Sequence, residues 1–247
     1  MFKSKEKILT LFLILIIGGA GGILADQFLL PYLSTIPFFS KISFIEHAMN
    51  GTTIINPTEK IIITENIAIE GAIDKINPSL VAIQSYQNKG LIKQGTGFIM
   101  TSDGLIVTAA DLVPAWATEY LVFRNGNYLT AQVVKIDLKS NLALLKIEEV
   151  NLSVASLANL EETYLGQRIV LVGVELIENN LNYFVNLGVI RSISEETLKI
   201  NLTEENSLAN GSPLINIKGQ VLGLNLVDYK GLIKTIPISE IRGFVGL

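Results

Sequence analysis

The chain has 247 residues, 49% hydrophobic and 17% charged, a formal net charge of −4 and a mean hydropathy of +0.45. That composition excludes a disordered chain and allows one or two domains burying roughly 70% of the unfolded surface. Lys and Arg are scattered rather than gathered into a stripe, so nucleic acid is not an expected partner. Cysteine is absent and His47 is the one histidine, which removes disulfides, zinc-thiolate sites and cysteine nucleophiles.

From Ile8 to Ala25 the chain carries no charge, and Thr10 is its one clearly polar side chain. Such a run is near the lower limit for crossing a hydrocarbon core of about 30 Å. Lys3, Lys5 and Lys7 precede it and Asp26 follows, an asymmetry that predicts a cytoplasmic segment 1–7, a transmembrane anchor 8–25 and an extracytoplasmic remainder. A cleaved signal peptide is the rival reading, because Ile23-Leu24-Ala25 loosely matches a cleavage site; the run is longer than the usual signal core, which favours an uncleaved anchor. Gly18 and Gly22 form a GxxxG that either lets two anchors approach or simply marks a glycine-rich helix end.

Residues 26–71 read as an irregular juxtamembrane stalk punctuated by Pro31, Pro37 and Pro57, or alternatively as a stretch that packs on the following domain, with Ile61-Ile62-Ile63-Thr64 as a candidate extra strand; the sequence does not choose. Ala72–Ile76 reads as a short amphipathic helix stopped before Pro78. Short β-rich runs then follow at a spacing of about ten residues. The first set is Leu80–Ser85, Gly97–Thr101, Leu105–Ala109, Leu121–Arg124, Ala131–Ile136 and Ala143–Ile147. After a polar stretch, 148–162, come Arg168–Val172, Tyr183–Ile190, Thr197–Leu202, Leu214–Ile217, Gln220–Leu226 and Leu232–Ile236. Ser102-Asp103-Gly104 and Asn125-Gly126 supply turns. Two sets of about six strands imply two small barrels or one large sandwich, and 239–245 a terminal helix.

Ile73–Ile83, Gly95-Thr96-Gly97-Phe98-Ile99 and Ser102–Thr108 together resemble the opening of an HtrA/Deg-type trypsin-like serine protease domain. Asp137–Ile147 resembles the segment carrying that family's catalytic aspartate, and Leu165–Val170 the start of its second barrel. Gly211–Asn216 with Gly219–Asn225 resembles the end of the nucleophile loop and the strand after it. The resemblance spans about 72–245 and implies an all-β fold of two six-stranded antiparallel barrels, about 79–150 and 163–238, behind the N-terminal helix.

That family cleaves peptides with a Ser-His-Asp triad and an oxyanion hole. Where it has histidine, this chain reads Thr108-Ala109-Ala110-Asp111; where it has aspartate before Leu-Ala-Leu-Leu, Asn141 stands; aligning on Pro213 puts Asn210 at the nucleophile. The glycine whose N–H faces the oxyanion becomes Leu208. The expectation is a pseudoprotease with a degenerate triad, Asp111, Asn141 and Asn210. Ser212 is a displaced-nucleophile candidate without a base, since a carboxylate with a pKa near 4 is poorly matched to a serine hydroxyl and His47 lies in the stalk. The alternative is a serine endopeptidase with a non-standard site.

The resemblance also implies a strand edge on which a substrate backbone pairs, matched here by Leu224, Asn225, Leu226, Val227 and Asp228; the same apolar residues could merely fill the barrel. Expected partners are the membrane, extended peptides or envelope proteins, and a second copy of the chain. No cofactor or metal is expected: Asp111, Asn141 and Asn210 would face one another, but one carboxylate is few for a hard cation. Glu161-Glu162, Glu195-Glu196 and Glu204-Glu205 read as solvated turns, Asn50-Gly51-Thr52 as a weak glycosylation match, and Trp116 as a core side chain or a cleft lining. Relatives often carry a further C-terminal PDZ domain, whereas this chain ends at Leu247, so binding is expected to use the barrels or the stalk.

Overall fold

The computed structural model describes residues 2–29, 32–33, 35–36, 57–194, 198–203 and 207–247. His47, Asn50–Thr52, Glu195-Glu196 and Glu204-Glu205 lie outside them. The chain divides into two units, Met1–Ile61 and Ile62–Leu247.

In the first unit, helix α1, Phe2–Leu24, continues into a π-helical turn, Ala25–Leu29. Its apolar span, Thr10–Leu29, is long and apolar enough to cross a membrane, by length and composition. This candidate span overlaps the expected anchor, 8–25. Leu11 to Ile17 are all more than half exposed.

The expected irregular stalk ends earlier than the sequence suggested, because Pro57–Ile76 is one helix, α2. The Ile61–Thr64 stretch is accordingly helical. Isoleucine favours strands only where a neighbour completes the ladder, whereas a helix satisfies its backbone internally. Ile69, Ala72, Ile73 and Ile76 pack against the main core, the i, i+3, i+4, i+7 spacing of a one-sided helix. The helix meets the domain at Gly219, where φ is +79° and an added Cβ would stand 3.1 Å from the Ala72 carbonyl oxygen. Lys75 Nζ donates to the Lys218 carbonyl there at 3.4 Å. Pro78 stops the helix through a 3-10 turn, Asn77–Ser79.

Thirteen strands are described: β1 Leu80–Gln87, β2 Gly90–Ile99, β3 Leu105–Ala109, β4 Glu119–Arg124, β5 Asn127–Thr130, β6 Gln132–Asp137, β7 Leu142–Lys146, β8 Arg168–Ile177, β9 Asn180–Ile193, β10 Leu198–Leu202, β11 Pro213–Asn216, β12 Val221–Val227 and β13 Ile233–Pro237. The last six close as a barrel in the order β10-β13-β12-β11-β8-β9. The first seven form a sheet in the order β5-β4-β1-β2-β3-β7-β6 rather than six strands. Its end strands, β5 and β6, are separated in sequence by Ala131 alone. That residue is buried and its N–H donates to the Tyr120 carbonyl at 2.9 Å. The first sheet is thus a half-barrel rather than the expected closed six-stranded barrel, and the bend at Ala131, which splits one run into β5 and β6, accounts for the extra element. Among the individual strands, Asn127–Thr130 carries no sequence signal of its own, and β2, β8 and β9 are longer than their signals: the added ends of β2 and β9 are mostly exposed or half-buried, whereas β8 extends through buried Val174 and Leu176 to an exposed Ile177.

β8 explains how the halves join. Ile169 and Leu171 point into the second barrel's own core, while Val170, Val172 and Val174 belong to the larger core shared with the first. Side chains alternate faces along a strand, so a strand buried on both faces reads as a continuous apolar run. Each such side chain contributes about 1.5–3 kcal/mol of burial. Thr96 adds a polar stitch: its hydroxyl accepts the Val174 N–H at 2.9 Å and donates to the Val174 carbonyl at 3.2 Å. The terminal helix α3, Ile238–Val245, buries Ile238, Ile241 and Phe244 and ends on Gly246 at φ +88°, whose N–H donates to the Arg242 carbonyl.

Candidate functional site at the inter-barrel cleft

The first barrel supplies two of the three positions. Asp111 lies in the 3-10 turn Ala110–Leu112 after β3, and Asn141 ends the β6–β7 turn. The two make a reciprocal pair: the Asp111 N–H donates to Asn141 Oδ1 at 2.9 Å, and Asn141 Nδ2 donates to Asp111 Oδ2 at 2.7 Å. A third bond runs from the Ala110 N–H to the Asn141 carbonyl at 3.0 Å. Asn141 sits at φ +56°, a left-handed conformation that asparagine tolerates better than most residues. Its turn is pinned by Asp137, whose carboxylate accepts the Ser140 hydroxyl at 2.7 Å and the Lys139 N–H at 2.9 Å. Those bonds, the Ser140 hydroxyl foremost, lower the Asp137 pKa.

Asn210 comes from the loop before β11 and is held differently. Its carbonyl accepts the Thr96 N–H at 3.1 Å, and its side-chain oxygen accepts the Val227 N–H at 3.3 Å. Among the described residues no hydrogen bond links Asn210 to Asp111 or Asn141. The structure thus brings together Asp111 and Asn141, while the Asn210 side chain is tied to β12. The next residue, Gly211, has φ +78°, and a Cβ there would collide with the Thr96 carbonyl; only glycine lets the loop approach the first barrel this closely.

Ser212 is fully buried, its hydroxyl donating to the Ala209 carbonyl at 2.6 Å. Beneath it, Asn225 Nδ2 donates to the Ser212 carbonyl at 3.1 Å and Thr235 Oγ1 donates to Asn225 Oδ1 at 2.7 Å. This places the displaced-nucleophile candidate in a closed polar network under the loop. Sequence reasoning did not anticipate the network; its one signal was Asn225, a polar residue inside the apolar run of β12. A buried asparagine is kept only when its hydrogen bonds are satisfied.

The proposed strand edge is similarly resolved residue by residue. Leu224 pairs Pro213 on one side and Ile236 on the other, and both it and Asn225 are fully buried. Leu226 and Val227 are half-buried and Asp228 is exposed. Trp116, read as a core residue or a cleft lining, is 55% exposed and so is no core residue. Glu161 and Glu162 form an exposed 3-10 turn capped by Asn159, with Lys218 3.7 Å from Glu162. Among the described residues no three His, Asp or Glu side chains converge as a metal site.

A closed six-stranded barrel beside a half-barrel, with the three aligned positions carried on a 3-10 turn, a β-turn and a glycine-containing loop, defines a trypsin-like architecture. The family model for the trypsin-like peptidase domain matches residues 95–224. Serine protease HTR4 of Rattus norvegicus is 31% identical over 196 residues, covering 72% of this chain and 40% of its own. Serine protease HTRA1A of Danio rerio is 27% identical over 221 residues, covering 82% and 45%. "Probable periplasmic serine endoprotease DegP-like" of Chlamydia muridarum is 29% identical over 162 residues, covering 62% and 30%. The chain belongs to the HtrA-type trypsin-like serine protease family. It spans less than half the length of these relatives.

Proposed function

We propose that this family member does not cleave peptides and serves as an extracytoplasmic module, anchored by α1, that binds extended peptides or partner proteins. One observation carries the reading: the side chains at the three positions aligned with the triad are spent on holding backbone and one another. Asp111 and Asn141 are bonded to one another, and Asn210 is a carboxamide bonded to β12. Neither carboxamide can accept a serine proton at neutral pH, and losing serine or histidine alone costs about a millionfold in such enzymes. His47, the sole histidine, lies outside the described residues, 15 positions before the second unit begins at Ile62. Support for the location comes from the apolar span Thr10–Leu29 and the lysines before it; support for binding comes from the intact barrels and from the half-buried end of β12, a mode that needs no triad.

The test is the full chain in detergent, with Asn210→Ala and Ser212→Ala beside it, exposed to casein and to a fluorophosphonate probe. No cleavage and no labelling are expected of any of the three. Activity that persists in Asn210→Ala and vanishes in Ser212→Ala would overturn the reading and identify a displaced nucleophile.

A further inference from the structure

Asn225 spends both backbone groups on the loop side of β12: its N–H donates to the Ser212 carbonyl and its carbonyl accepts the Gly211 N–H, each at 2.8 Å. Backbone groups alternate sides along a strand, so those of Leu226 face β13, where it pairs Lys234, and those of Val227 return to the loop side. Val227 is therefore the first position at which an incoming extended chain could pair. It is also the last in the strand, because Asp228 begins a turn in which its N–H donates to the Leu232 carbonyl and its carbonyl accepts the Gly231 N–H, both at 3.0 Å. One main-chain donor and one acceptor remain on this edge, and the donor is already taken by Asn210 Oδ1.

We infer that Asn210 is a built-in cap on the β12 edge: its carboxamide occupies the Val227 N–H that an extended peptide would use, and capture requires that side chain to swing away. The inference rests on the peptide-binding reading above. The geometry suits a removable cap. The backbone of Asn210 is anchored independently by Thr96, so the side chain can rotate without moving the loop. The capping bond, at 3.3 Å, is longer than the usual N–H···O distance, and the residue is half-buried, with a route to solvent. A shorter side chain that leaves Val227 uncapped should bind more tightly, by the two- to tenfold that about one neutral hydrogen bond represents.

The experiment uses the full chain in detergent micelles, as wild type, Asn210→Ala and Asn210→Asp, with fluorescein-labelled β-casein as the unfolded probe. Exchange of the Val227 amide is followed separately, without casein. Asn210→Ala is expected to bind two- to tenfold more tightly and to exchange Val227 at least several-fold faster; Asn210→Asp, which keeps an acceptor, should do neither. Faster exchange with equal casein binding overturns the gate and leaves the peptide reading standing. Unchanged exchange in Asn210→Ala overturns the cap itself. Absence of binding in all three proteins overturns the peptide reading, and the gate with it.

Discussion

Asn141 joins the β6–β7 turn to the 3-10 turn that carries Asp111. It tolerates a left-handed backbone at φ +56°, accepts the Asp111 N–H and donates to the Asp111 carboxylate. Asn141→Ala should therefore lose about 1–3 kcal/mol of stability, from strain and lost hydrogen bonds together. Asn141→Gly, which relieves the strain but restores no bond, should lose less. Urea midpoints of the two variants check the order. The meeting of positions 111 and 141 was legible in the sequence, because the segments Thr108–Asp111 and Asp137–Ile147 match one family pattern. The direction of the Asn210 side chain was not legible: it depends on where β12 places the Val227 N–H, seventeen residues away.

Two elements have consequences of their own. The β6–β7 turn hangs on the Asp137 carboxylate, whose pKa is lowered chiefly by the Ser140 hydroxyl. A carboxyl group with a folded pKa below its unfolded value stabilises fully above the unfolded pKa, about 4, and that contribution is lost as the pH falls through the lowered folded value. Between pH 6 and 2.5 the melting temperature of the wild type should fall more steeply than that of Asp137→Asn, and the difference between them should flatten above about pH 5. Helix α2 depends on the open space at Gly219 in the β11–β12 turn. Gly219→Ala would place a Cβ against Ala72 and Lys75 at φ +79°, costing roughly 1–3 kcal/mol of strain at that contact. Amide exchange over 66–76 should accelerate while strands β1–β4 keep their protection. The helix itself was half legible: its docked end follows a 3.6-residue period, but its isoleucine-rich start carries a strand signal that local propensity alone could not arbitrate.

At the scale of the whole domain, one continuous core includes Ile83, Phe98 and Leu145 of the first barrel and Val170, Val172 and Val174 of the second. The two barrels should consequently unfold in a single transition. Thr96→Val removes the hydroxyl that pairs both backbone groups of Val174 and leaves them buried without that partner. It should lower stability by about 2–4 kcal/mol without splitting the transition, and Thr96→Ser should recover most of the loss. Coincident unfolding curves by fluorescence and far-ultraviolet dichroism check the single transition.

The sequence by itself determined the apolar N-terminal span, the two sets of strands, their turns and the family, because each is written in local periodicity, in turn residues or in short ordered motifs. Only the tertiary structure decided that the first sheet stays a half-barrel whose end strands meet at a bend at Ala131, that Ser212 lies sealed over Asn225 and Thr235, and that Asn210 turns toward Val227. Those outcomes depend on which distant backbone groups are left unpaired once the barrels have formed. A buried N–H or carbonyl must find a partner from whatever packing brings near, and no local pattern of residues records which one that will be.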